Sequence, residues 1–81
     1  MNIKQVEEKI LGYVQESLGK KVERETPLIS NGLLDSFSLL SFISFIENEF
    51  GIAFALEEMM AEHFESVTSA SALINKKLAE K

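Results

Sequence analysis

The 81-residue sequence has no cysteine, one histidine, His63, and one proline, Pro27. Without cysteine it builds neither a disulfide framework nor a thiolate metal site, and its redox compartment is left open. His63 has no ligand partner in a recognisable motif, and the carboxylates never take the alternating spacing of a calcium loop, so no metal centre is expected. No nucleophile can be paired with a base either, and no catalytic residue is expected. Long hydrophobic runs are also missing. No stretch approaches the length of a bilayer span, and residues 1–15 alternate charges with isolated apolar residues instead of building a signal-peptide core. The expectation is a cytoplasmic protein that does not enter the membrane.

Positive charge is missing from the middle of the chain. All eight Lys and Arg lie in residues 4–24 or 76–81, whereas residues 25–75 carry eight acids and no Lys or Arg. The net charge is −5. Such a single-sign surface repels a phosphate backbone, which argues against nucleic-acid binding, and it steers proteins with basic patches toward it. A solvated face that only keeps the protein soluble gives the same pattern.

What is present is an ordinary globular balance, 46% hydrophobic and 26% charged. This argues against intrinsic disorder. The length fits one small domain, residues 1–81, near the lower limit for a core without staples. A monomer is expected. Periodicity gives helices and no strand. Ile3, Val6, Ile10, Tyr13, Val14 and Leu18 form one stripe of a first helix, stopped near Gly19. Lys20 to Asp35 is a long connection in which Leu28, Ile29, Leu33 and Leu34 are apolar anchors, favouring a packed loop.

A second helix is expected from about Ser36 to Phe50, capped by Asp35 or Ser36 and ended by Gly51. Leu39, Phe42, Ile43, Ile46 and Phe50 fall within about a 100° arc, the core face. Phe37 and Leu40 lie beyond its edge on the side of Ser44, which predicts exposed apolar surface beside Ser36 unless the long loop covers it. A short third helix, about Leu56 to Phe64, would turn Leu56, Met59, Met60 and Phe64 to the core. A last helix, capped by Ser66 or Thr68, carries Val67, Ala70, Leu73, Ile74 and Leu78 as its stripe, with Lys76 and Lys77 complementing its dipole. The expected fold class is all-α, a four-helix bundle with three main helices, a short third helix and a long first loop.

The hexapeptide Gly32-Leu33-Leu34-Asp35-Ser36-Phe37 places one hydroxyl at the N-terminus of the second helix. The nearest histidine in sequence is 27 residues away, so Ser36 reads as a residue that is modified and not one that attacks. This hexapeptide, the helix end Glu49-Phe50-Gly51-Ile52 and the final Ser66-Val67 helix together resemble the acyl carrier and peptidyl carrier proteins, in family order over nearly the whole chain. The resemblance implies a four-helix bundle with a short third helix. It also implies 4′-phosphopantetheine covalently attached to Ser36, and a terminal thiol that holds acyl or aminoacyl cargo as a thioester. Asp35 would support the modification by helping to hold the transferase, Mg²⁺ and coenzyme A.

The partners it implies are a phosphopantetheinyl transferase, a loading ligase or acyltransferase, and downstream synthase or transferase enzymes in fatty-acid, polyketide or other specialised biosynthesis. Phe37, Leu40, Ser44 and Glu47 are the docking residues expected. Where fatty-acid carriers place further acids on the second helix, this chain has Ser38, Ser41 and Ser44, which makes Phe37 and Leu40 relatively more important. The wording of the hexapeptide also looks like the stand-alone D-alanyl carrier proteins. Phe42, Phe45 and Phe50 would restrict or line any acyl pocket between the helices. The competing expectation is an unmodified helical adaptor that binds a partner through Phe37 and Leu40.

Overall fold

The computed structural model describes residues 2–80. Three α-helices, α1 (Ile3–Leu18), α2 (Ser36–Phe50) and α3 (Val67–Glu80), are joined by a long first loop and by a second connection holding two 3-10 turns. No strand occurs among the described residues.

Helix α1 opens on a reciprocal cap. The Asn2 side chain accepts from the Gln5 N–H at 2.9 Å, and the Gln5 side chain accepts from the Asn2 N–H at 3.1 Å, so donors that a helix start leaves orphaned are satisfied in pairs. Gly19 ends it at φ 67°, a left-handed conformation that an L side chain adopts only with strain. Val6, Ile10 and Val14 are its buried residues.

The loop from Gly19 to Asp35 is packed, as its apolar anchors implied. Leu28 is fully buried and Leu34 nearly so, and the Leu28 carbonyl accepts from the N–H groups of both Leu33 and Leu34. Ile29 and Leu33 are half-buried. Val22 is a further buried anchor, fixed where its carbonyl accepts from the Gln15 side chain at 2.8 Å. The Leu28 N–H donates to the Glu65 carbonyl at 2.6 Å, tying the loop to the start of α3.

Helix α2 buries Phe42, Ile43, Ile46 and Phe50, the core arc read from its spacing apart from Leu39, which is half-buried. Phe42 meets Phe64 edge-on with centroids 6.1 Å apart, and Phe64 meets Phe54 edge-on at 5.5 Å, geometries that the ring quadrupoles favour. Phe45, outside the core arc, is half-buried against α1, its ring stacked on Tyr13 at 4.1 Å.

The expected short third helix exists as two 3-10 turns, Leu56–Glu58 and Ala61–Phe64, separated where Met60 is extended (φ −76°, ψ 145°). The four core-facing positions assigned to it need correction. Phe64 is fully buried and Met59 half-buried, but Leu56 is 83% exposed and Met60 also lies at the surface. Two causes act together. A 3-10 turn repeats every 3.0 residues instead of 3.6, so a helical wheel assigns its faces wrongly. A continuous α-helix would also set Glu58 against Glu62 at i, i+4, whereas here the Glu58 carboxylate caps the Ala55 N–H at 2.7 Å and pairs with Lys77 of α3 at 2.8 Å.

Of the two candidate caps for α3, Ser66 performs the role, its hydroxyl accepting from the Ser69 N–H at 3.1 Å. Thr68 instead donates through its N–H and its hydroxyl to the Arg24 carbonyl, fastening α3 to the first loop. Helix α3 packs against α1.

Candidate functional site

The N-terminus of α2 is set by the residues before it. Gly32, at φ 72°, makes the turn that the Leu28 carbonyl gathers up, and buried Leu34 anchors the chain directly ahead of Asp35. Asp35 is the N-cap, extended at φ −95° and ψ −172°, with Oδ1 accepting the Ser38 N–H at 2.8 Å. That bond, with the nearby Ser38 hydroxyl second, holds the Asp35 carboxyl below the ordinary carboxylate range.

Ser36 is therefore the first residue of α2, exposed, and its hydroxyl joins no hydrogen bond among the described residues. A nucleophilic serine requires a base within hydrogen-bond reach, and none is present among the described residues. The N–H of His63 donates to Met60 and its carbonyl accepts from Ser69 Oγ. This is a residue of the second 3-10 turn held by local bonds.

The structure exposes three of the four expected docking residues on one side of α2. Phe37 is 84% exposed and Leu40 59%, so the long loop does not cover them, and Ser44 is exposed. Ser36, Leu40 and Ser44 follow at i, i+4 and i+8 and stack along one face. Glu47 is half-buried, and its Oε2 accepts from the Phe54 N–H at 2.9 Å, so this carboxylate braces the turn after α2.

Sequence reasoning did not find the groove of about 350 Å³ between α1 and the first half of α2. Its walls include Tyr13 and Leu18 on one side and Phe37 and Ser38 on the other. Phe42, Phe45 and Phe50 do not line it; Phe42 and Phe50 are buried in the core. The only sequence signal for the groove was the run of small polar residues on the flank of α2, Ser38 and Ser41.

A family model described as phosphopantetheine attachment site matches residues 8–74. The chain belongs to this phosphopantetheine-attachment family of acyl and peptidyl carrier proteins. No curated protein matches it. The cofactor of the family is 4′-phosphopantetheine, attached covalently to a serine. Its carrier domains work with phosphopantetheinyl transferases and synthase enzymes, and in general they are not catalytic themselves. Among the described residues no helix is long and apolar enough to cross a membrane.

The chemistry of the α2 terminus fits that group. A phosphodiester needs hydrogen-bond donors and a favourable field, and the unpaired N–H groups and positive dipole end of a helix start supply both. Two helices of this chain start with a serine at or beside the cap, Ser36 on α2 and Ser66 on α3. The Ser66 hydroxyl is engaged with Ser69, whereas that of Ser36 is free among the described residues. Asp35 adds one negative charge beside the site, a local cost that solvent screens.

Proposed function

We propose that the chain is a single carrier domain over residues 1–81, in which Ser36 receives the 4′-phosphopantetheine arm. The arm supplies a terminal thiol that holds acyl or aminoacyl cargo as a thioester for delivery to partner enzymes. The observation that carries this reading is the exposed Ser36 hydroxyl at the start of α2, without a hydrogen bond among the described residues, in a chain of the phosphopantetheine-attachment family.

Each residue then has a role that follows from its position. The Ser36 oxygen forms the new bond to the phosphorus that bears pantetheine, the pyrophosphate bond of coenzyme A breaks with release of adenosine 3′,5′-bisphosphate, and the hydroxyl proton passes to the transferase. Asp35 fixes the start of α2 through Ser38 and would help to hold the transferase, Mg²⁺ and coenzyme A during modification. Rigid placement on α2 gives the arm a fixed anchor at the protein surface. Phe37, Leu40 and Ser44 offer partner enzymes an apolar face beside the arm, which suits the transferase, the loading ligase or acyltransferase, and the downstream synthase or transferase in turn. Glu47 contributes to that face by keeping the end of α2 in place.

With serines where more acidic carriers have carboxylates, docking rests more on Phe37 and Leu40 than on charge. A dedicated polyketide, aminoacyl or other specialised pathway then suits the chain at least as well as a housekeeping fatty-acid set, and so does a cytoplasmic setting. The test is intact mass after incubation with coenzyme A, Mg²⁺ and a broad-specificity transferase. Wild type gains one phosphopantetheine and Ser36→Ala gains none. An unchanged wild type, beside a control carrier that is modified, favours an unmodified adaptor.

A further inference from the structure

We infer that the groove between α1 and the first half of α2 is the resting seat of the phosphopantetheine arm; this rests on attachment at Ser36, as proposed above. The groove measures about 350 Å³ and is walled by Tyr13, Ser17 and Leu18 of α1 and by Phe37, Ser38 and Ser41 of α2. It begins at the residue after the attachment point. At about 100° per residue Phe37, Ser41 and Ser38 stand about 100°, 140° and 200° round α2 from Ser36, so the arm enters by wrapping round the first turn of the helix.

The lining matches the arm's chemistry. Pantetheine is a chain of two amides and a hydroxyl separated by short apolar stretches, one bearing two methyl groups. The groove likewise mixes hydroxyls with apolar walls, and those of Ser17 and Ser41 bond to no other protein group among the described residues. Its volume is at the low end of ligand clefts, which run from roughly 300 Å³ upward. That holds an arm but not an arm together with a long acyl chain.

The side of α2 turned to Phe64 is closed by aromatic packing. There Phe42, Phe54 and Phe64 interlock edge-on, all of them buried. The tether also removes the entropic obstacle that a weak groove would face with a free ligand, because a short linker holds its end at millimolar effective concentration.

The experiment compares ¹⁵N-labelled protein before and after modification, with mass confirming the arm. Seating in the groove shifts the amide signals of Tyr13, Ser17, Leu18 and Ser41 and gives NOEs from the arm's methyl groups to the Tyr13 ring. Ser17→Trp, a change at an exposed position, fills the groove: the same mass is gained, but the α1 shifts and the NOEs are lost. A mass gain with shifts confined to residues 35–38, or with shifts centred on Met60 and Phe64, overturns the seat while leaving attachment intact. Absence of any mass gain overturns the attachment and the seat with it.

Discussion

The carboxylate of Asp35 accepts the backbone N–H of Ser38 at 2.8 Å, and this one bond fixes where α2 begins and so which residue stands exposed at its first position. Asparagine retains the acceptor and alanine does not. Asp35→Asn keeps nearly the wild-type melting midpoint, whereas Asp35→Ala lowers it and frays the first turn of α2, as amide exchange at Ser38 and Leu39 will show. If Asp35 also serves the transferase, both variants slow modification. Slowing in Asp35→Asn without loss of stability separates that role from capping.

Acid acts through the same group and through Glu58. The Glu58 carboxyl is held below its ordinary range by the Lys77 ammonium first and by the Ala55 N–H second. A carboxyl lowered in the folded state stabilises above its unfolded pKa, and that contribution is lost as pH falls through the folded value. Stability is therefore steady near neutrality and declines below about pH 4, the ordinary carboxylate range. Lys77, raised by Glu58, contributes below its own unfolded pKa and is lost only at strongly alkaline pH. Denaturation midpoints across pH check this, with Glu58→Gln and Asp35→Asn each flattening the acid decline.

Ser71 lies fully buried in α3, and its hydroxyl has no partner among the described residues. A buried, unmatched polar group costs about 1–3 kcal/mol. Ser71→Ala removes the group without enlarging the side chain, and raises unfolding stability by about 1 kcal/mol in urea titration.

Gly12 is exposed in the middle of α1, and a Cβ there would meet nothing within 4 Å among the described residues. Gly12→Ala should add about 0.5–1 kcal/mol by restricting the unfolded chain. The same change at Gly19, at φ 67°, meets no neighbour among the described residues either but forces a side chain into the left-handed region. It destabilises by about 1 kcal/mol. Opposite signs in thermal melts are the expected outcome.

Phe37 and Phe42 are five residues apart on one helix and differ in kind. Phe42→Ala leaves a cavity between Tyr13 and Phe64 and costs about 3–5 kcal/mol, a large share of the roughly 4–12 kcal/mol of a domain this size. Phe37→Ala changes stability by less than about 0.5 kcal/mol. If α2 is the docking face, the kcat/KM of a transferase for Phe37→Ala falls several-fold at unchanged fold, as initial rates will show.

How much of this was legible in the sequence depends on how local each cause is. The glycine stops at Gly19 and Gly51, the Asp35 cap and the core arc of α2 rest on near neighbours and a fixed 3.6-residue period, and the structure keeps them. The exposure of Phe37 and Leu40 followed from the same arc. The surface positions of Leu56 and Met60 were not legible, because Glu58 is drawn to Lys77, 19 residues away, and the turns adopt a shorter period. Glu47 read as a docking residue, and its brace to the Phe54 N–H was not legible because it forms only where the chain after Gly51 folds back. The groove beside Ser36 depends on how α1 leans on α2, with Tyr13 stacked on Phe45, and no window of sequence contains both.

The central claim concerns one oxygen among nine serines. The most direct measurement is fragmentation mass spectrometry of the protein after treatment with coenzyme A, Mg²⁺ and a phosphopantetheinyl transferase, reading which residue carries the added mass. The account predicts a single adduct on Ser36. An adduct on Ser66 or any other serine, or none while a control carrier is modified, would contradict it.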